Sequence, residues 1–409
     1  MNGDENTGAP EAEWEDAVAT AASVLAEHAA RVDGDGVFPS ESLAALRELG
    51  LMGLLVPREY GGLGLGLGAF TTAAGRLAAG CLSTALIWAM HGQQVDAVVR
   101  YGSERLRREV LPRVAAGELY LASVTTERGK GGDLLTARSA LRQDETGILL
   151  DRDAPVVTGG NQADAFLVTA RVSPDAAPTE SSLVYADRSL LNIDEVGSWK
   201  AMGMRGTRSV GLRLTGRVPE WGVIGPPGRF REVATESLIP LGHLGWSACW
   251  LGAARGAFSE VTKRLRARDE LIRVDIRSEL VQERIGRIRV DLELVGAYLE
   301  QTRMEVEAVR AAAGTLSRPA TQIRLNTLKL AASELSFRAV DRLVQLSGLS
   351  VGYRQDSPVP LERVFRDLRS AALNYSNDRL WTTVGLHSVL DHTPRTPRFG
   401  EPGAGPGPG

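Results

Sequence analysis

The sequence predicts an α+β chain built as an N-terminal helical domain, a middle β-barrel and a C-terminal four-helix bundle. Two changes of texture predict it. Apolar residues recur at helical spacing early in the chain and again over its last third, while the middle consists of short β-branched runs broken by Gly, Asp and Pro. The boundaries fall at residues 1–117, 118–226 and 227–391, and the Pro- and Gly-rich stretch 392–409 has no apolar face and reads as a disordered tail.

In the first domain the helical segments are AVATAASVLAEHAARV, SESLAALRELGL, FTTAAGRLAAG, LIWAMHGQQVDAVVRYG and ERLRREVLPRVAAG. Ser40 and Ser103, each followed by Glu, are the expected N-caps, and YGGLGLGLG at Tyr60 to Gly68 is a loop. In the middle domain LYLASVTT, ARSALR, ILLD, PVVTGG, AFLVTARV, SSLVYAD, VGLRLTG and GVIG read as short strands of an antiparallel barrel or sandwich. Long heptad-compatible patterns from Arg229 to His387 then give four antiparallel helices. The last of these breaks inside RDLRSAALNYSNDRL, Arg366 to Leu380, where five polar residues stand together before Leu380 and Trp381 resume the pattern.

Composition narrows the function. The 409 residues are 43% apolar, ample for a core, and 47 basic against 50 acidic side chains without like-charge runs leave no footprint for nucleic acid or an anionic membrane. A small molecule is the expected partner. No apolar run reaches the roughly 20 residues of a membrane span, and the acidic start MNGDENTGAPEAEWEDA is unlike a signal peptide, so a cytoplasmic location is expected. Cys81 and Cys249 lie far apart in apolar surroundings and read as buried thiols. The five histidines make no metal-ligand spacing, and no metal site is expected.

Several motifs are excluded. GGLGLGLG does not fit G-x-G-x-x-G and follows no strand; Lys130 precedes Gly131 rather than Ser or Thr, so there is no Walker A loop; and GWSAC, Gly245 to Cys249, lies within a helical pattern and is no nucleophile elbow. Two stretches do carry site chemistry. VTTERGKGGD, Val124 to Asp133, joins hydroxyls to a glycine loop, and PVVTGGNQADAFLVTA, Pro155 to Ala170, puts the Thr158 hydroxyl at the end of a strand before two glycines.

Taken in order, ELGLMGLLVPREYGGLGL, VTTERGKGGD, PVVTGGNQADAFLVTA, KAMGMRGTRS with TGRVPEWGVIG, and LVQLSG followed by ERVFRDLRS resemble the acyl-CoA dehydrogenase superfamily of flavoproteins over about Phe38 to Leu390. The resemblance implies the same three-domain order, FAD between barrel and bundle, and a homodimer or homotetramer. It also implies an acyl-CoA or acyl-carrier-protein substrate and a flavoprotein electron acceptor. Thr126 matches the threonine on the pyrimidine side of the flavin, Thr158 the threonine beside flavin N5, Arg268 the arginine that reaches a neighbouring subunit's FAD pyrophosphate, and Gln345 and Gly348 the Q-x-x-G-G loop. The sequence departs from the pattern in four places. Val156 replaces the tryptophan before the flavin threonine, Leu349 the second glycine of Q-x-x-G-G, RDELI at Arg268 to Ile272 the R-x-T-F-G motif, and Gly132 the serine of T-E-x-G-x-G-S-D.

Desaturation of an acyl thioester needs a base opposite the flavin, which the family draws from the Glu of Y-E-G-T. Counting from Arg366 and Asp367 puts Tyr375 there, and one inserted residue puts Ser376 there. Neither is a carboxylate. Glu236 is the nearest carboxylate to an alternative position on an earlier helix, which the spacing to Gly252 sets at Gly242 or His243. His243 would be a neutral base, and Tyr375 would need its pKa lowered beside a cation such as Arg369 or Arg379. Three readings remain open: an FAD enzyme oxidising an acyl thioester with an atypical base, a monooxygenase of this fold fed by a flavin reductase, and a flavin- or carrier-binding protein without redox turnover.

Overall fold

The computed structural model describes residues 9–129, 132–145, 147–267, 271–272 and 274–394. Five helices come first: α1 (Ala9–Asp35), α2 (Ser40–Glu48), α3 (Leu67–Gly80), α4 (Leu82–Tyr101) and α5 (Glu104–Ala115). α4 is buried round nearly its whole circumference from Leu82 to Val98, as a helix apolar on all sides requires, and its polar residues must therefore find partners inside. His91 does so twice: the Leu121 N–H donates to Nδ1 at 3.0 Å and Nε2 lies 3.1 Å from the Met52 carbonyl, which fixes the neutral Nε2–H tautomer. Ser103 caps α5 by accepting from the Leu106 amide at 3.1 Å. Ser40 does not cap α2; Pro39 holds that place, and Ser40 is the first helical residue.

Eight strands follow: β1 (Leu121–Val124), β2 (Arg142–Asp144), β3 (Gly147–Ala154), β4 (Ala165–Arg171), β5 (Ser181–Asp187), β6 (Leu191–Val196), β7 (Gly211–Val218) and β8 (Val223–Ile224). They form two four-stranded sheets, ordered β1-β4-β5-β8 and β2-β3-β7-β6. All pairings are antiparallel except β1 with β4, which is parallel, with Leu121 opposite Ala165. β4 is buried on both faces, which explains its unbroken AFLVTA run. Three strand assignments differ from the sequence reading. ARSALR is irregular apart from an isolated bridge between Ala140 and Arg171 and the first residue of β2, Arg142. PVVTGG is an extended segment ending in a turn, with Gly159 at φ 60°, and LNIDEV is the edge strand β6, whose exposed Asn192, Asp194 and Glu195 mask its strand character and protect the edge.

The chain then returns to helices: α6 (Phe230–Val233), a π-helical turn (Ala234–Leu238), α7 (Ile239–Ala267), α8 (Glu279–Ala311) and α9 (Pro319–Gly348). The fourth helix of the bundle is two pieces, α10 (Leu361–Arg369) and α11 (Asn377–Leu390), separated by the turn Ser370–Ser376. α7 packs on α3 so closely that a Cβ on Gly252 would lie 2.1 Å from the Gly75 carbonyl oxygen. GWSAC lies within α7 with Ser247 fully buried, and Cys81 and Cys249 are buried thiols. Among the described residues no helix is long and apolar enough to cross a membrane.

Arg366 and Asp367 clasp the three domains together. The Arg366 guanidinium reaches Asp33 of α1 at 2.5 Å and donates to the Met202 carbonyl at 2.9 Å, while the Asp367 carboxylate accepts from the Met204 amide at 2.5 Å. Burial pushes Asp367 up to about 7.

Candidate active site

Where the three domains meet, a cavity of about 330 Å³ is lined by Thr126 and Thr158 from the β region, His243 and Trp246 from α7, and Tyr375 and Ser376 from the turn that splits the fourth helix. Five of the sequence-predicted site residues therefore converge: Thr126, Thr158, His243, Tyr375 and Ser376.

Each is held by its neighbours. The Thr126 hydroxyl donates to the Val156 carbonyl at 2.8 Å, and the Thr126 carbonyl accepts from Arg152 Nη2 at 2.8 Å. The Thr158 and Ser209 hydroxyls stand 3.2 Å apart, and Ser209 is 2.8 Å from the Thr207 hydroxyl. The Tyr120 hydroxyl donates to the Thr158 carbonyl at 2.8 Å. His243 Nδ1 lies 3.1 Å from the Leu325 carbonyl, which can only accept, so Nδ1 carries the proton and Nε2 keeps its lone pair. Burial, and then the Lys329 ammonium, push His243 down to about 3.

Tyr375 has a left-handed backbone, φ 54°, uncommon for an aromatic residue, and its ring centroid lies 6.1 Å from that of His243. Burial raises its phenol, Asp133 adds to this, and Arg379 opposes only in part. The lowered pKa that a Tyr375 base would require is thus reversed, and the phenol stays protonated. Ser376 occupies the N-cap position of α11, and its hydroxyl makes no cap hydrogen bond.

The remaining predicted residues lie elsewhere. Glu236 sits in the π-helical turn beside an adjoining cavity of about 1010 Å³. Its carboxylate accepts from the Leu316 amide at 2.9 Å and the Thr315 hydroxyl at 2.5 Å, so it ties down the α8–α9 connection. Gly348, at φ 66°, lines a third cavity with Leu346 and Leu271, and the neighbouring Gln345 donates to Asp341 at 3.0 Å. Arg268 lies outside the described residues.

Two functional neighbours escaped the sequence reading. Arg152 of β3 is fully buried; its Nη1 lies 2.7 Å from Glu127 Oε2 as an off-line ion pair, while Nη2 holds Thr126. The alternation of Leu150, Arg152 and Ala154 on the buried face of the strand was the available signal. Lys329, the one Lys in the apolar run LNTLKLAASEL, is also fully buried.

Among the described residues that line the 330 Å³ cavity none is a carboxylate. Its lining is rich in donors instead. Trp246 Nε1 and Asn374 Nδ2 are buried with no acceptor among the described residues. A flavin ring presents carbonyl oxygens and ring nitrogens that accept such donors, so the residues fit that group.

Comparison with known proteins agrees with this architecture. The family model for the acyl-CoA dehydrogenase N-terminal domain matches residues 11–118, and that for the acyl-CoA dehydrogenase C-terminal domain matches residues 244–378. The chain is similar to cyclohexane-1-carbonyl-CoA dehydrogenase of Geobacter metallireducens, 27% identical over 374 residues, covering 90% of this chain and 93% of the relative. In fold it is similar to FMN-bound TdsC from Paenibacillus sp. A11-2, with TM-score 0.82 and 21% identity over 94% of this chain and 99% of that one. It is similar also to the prolyl acyl carrier protein oxidase AnaB, with TM-score 0.80 and 17% identity over 93% and 99%. With the two family models spanning more than half of the chain on either side of the β domain, and the cavity set where all three domains meet, the chain belongs to the acyl-CoA dehydrogenase superfamily of flavoenzymes.

Proposed function

We propose that this chain is a flavin-dependent monooxygenase that hydroxylates carbon or nitrogen, using reduced flavin from a separate reductase. One observation carries the reading: the described lining of the cavity offers no carboxylate, and the groups in its place are hydrogen-bonding ones. Taking a proton from the α-carbon of a thioester needs a base of matching strength. His243, at about 3, is too weak, the Tyr375 phenol is pushed the wrong way, and Glu236 is committed to Leu316.

A bound flavin would supply either hydride acceptance or, once reduced by the separate reductase, activation of O₂ with one oxygen atom going to the substrate and the other to water. Thr126 and Thr158 hold the ring, with FAD as the proposed form. Tyr375 and Trp246 donate hydrogen bonds into the cavity, and His243 Nε2 accepts one from a substrate hydroxyl or amine. Val156, 41% exposed where the family carries tryptophan, leaves room beside Thr158.

A second reading, oxidation of an acyl thioester on CoA or a carrier protein with electrons passed to a flavoprotein, is favoured by the substrates named in the relatives. The adjoining 1010 Å³ cavity adds support: Arg100, Arg229 and Arg231 line it, and it meets the first at Tyr375. The two are separated by comparing anaerobic bleaching of bound flavin by acyl thioesters with oxygen-dependent product formation in the presence of a flavin reductase. Product only with oxygen and reductase supports the proposal. Bleaching by a thioester without oxygen replaces it with the second reading, and neither signal leaves a binding protein. In the productive assay Tyr375→Phe is expected to lower turnover about 10²-fold, as loss of a preorganised donor does. Full turnover would remove Tyr375 from the chemistry.

Thr158→Val keeps the shape of the side chain and deletes its hydroxyl. It is expected to weaken flavin binding by about 0.5–1.5 kcal/mol, a few-fold to tenfold in Kd, without lowering the unfolding temperature. Flavin fluorescence titration checks this; an unchanged Kd would move the flavin away from Thr158.

A further inference from the structure

We propose that Lys329 is the positioning residue of the cavity. Its buried ammonium holds the left-handed turn between α10 and α11, and so sets the Tyr375 ring against His243.

The fourth bundle helix stops at Arg369 and restarts at Asn377, which leaves backbone carbonyls of the intervening turn without helical partners. Lys329 Nζ, projecting from α9, takes two of them, Ala371 O and Tyr375 O, each at 3.0 Å. Its third acceptor is Asn377 Oδ1 at 2.7 Å. An ammonium has three protons, and here each has an oxygen. The Asn377 amide is itself pinned, donating from Nδ2 to Ser333 Oγ and Glu334 Oε1 at 3.1 Å each, while the Trp250 ring lies 5.5 Å from Nζ.

A buried ammonium costs several kcal/mol unless its hydrogen bonds are complete, so this arrangement leaves the turn little freedom to relax. The bond to the Tyr375 carbonyl is the informative one. It holds the peptide that follows a bulky residue at φ 54°, a conformation that L side chains rarely keep without an external constraint. Rotation of that peptide swings the ring out of the cavity. Lys329 therefore shapes the site from behind and does not itself line the cavity.

The inference rests on Tyr375 belonging to the working cavity, and the test separates the two claims. The protein is labelled with 3-fluorotyrosine, and the Tyr375 signal among its seven tyrosines is identified by its loss in Tyr375→Phe. In Lys329→Gln, which keeps one donor group, and in Asn377→Ala, which removes the third acceptor, the Tyr375 signal is expected to shift or split while the other tyrosine signals stay in place. Lys329→Met should do the same more strongly. An unchanged Tyr375 signal in the folded Gln or Ala variant overturns the proposal, and so does a general shift of all the signals with a lower unfolding temperature, the mark of a purely structural residue. If Tyr375→Phe retains full turnover, the functional reading of Tyr375 fails while the role of Lys329 in placing the ring still stands or falls on the spectra.

Discussion

Arg152→Met is expected to destabilise the β region by about 3–5 kcal/mol, the cost of breaking a buried charge pair by removing one partner. Met fills most of the space of Arg, so the loss is electrostatic rather than a cavity. Glu127 would remain inside with its hydrogen bonds from the Arg138 amide and from the Ser139 amide and hydroxyl, at 2.6–2.7 Å, but without its counter-charge. Burial alone would raise the Glu127 carboxyl; the Ser139 and Arg138 hydrogen bonds, together with Arg152, hold it below its ordinary value instead. The Thr126 carbonyl would also lose its donor at 2.8 Å, so the loop carrying Thr126, proposed above to hold flavin, loosens with the fold. A urea midpoint and a flavin titration on the same variant read both effects. The double variant Arg152→Met/Glu127→Gln should recover most of the stability, because a neutral pair has no charge to strand. A single variant that unfolds at the wild-type urea concentration would mean that the pair contributes nothing.

What the sequence made legible followed from periodicity and from local motifs. Helical spacing located the α domains, and the order of short motifs located Thr126, Thr158 and Tyr375 on one cavity although they stand far apart in the chain. What it hid depended on tertiary contacts. Glu236 looked available as the nearest carboxylate, but only the fold reveals that the α8–α9 connection uses it as a hydrogen-bond acceptor through Leu316. Lys329 drew no notice in the sequence because Lys is seldom buried, and its three acceptors come from the turn and the start of α11, more than forty positions away. The break at Asn374–Asp378 was visible; its cause was not.

Acidification is expected to destabilise the protein between about pH 6 and 5, before ordinary carboxylates titrate, through two buried neutral histidines. Burial pushes His91 to about 4 and His243 to about 3, from an ordinary 6.5. A depressed folded pKa means that the unfolded chain binds the proton first. The histidines' contribution is therefore complete above about 6.5 and falls as pH drops toward the folded values. Asp367 works the other way. Raised from 3.8 to about 7, it is protonated in the fold and ionised in the unfolded chain across this window, so it gains stability as pH falls. Lys329, lowered to about 7 from 10.5, is charged in both states here and contributes slope only above neutrality, where stability rises with pH. Two histidines against one aspartate leave a net uptake of about one proton on unfolding, roughly 1.4 kcal/mol lost per pH unit. Unfolding free energies at several pH values in this window test the balance. His243→Gln should flatten the slope and Asp367→Asn should double it. A His243→Gln protein that keeps the wild-type slope would mean that His243 is not held neutral beside Tyr375, and would restore it as a candidate base for removing a substrate proton.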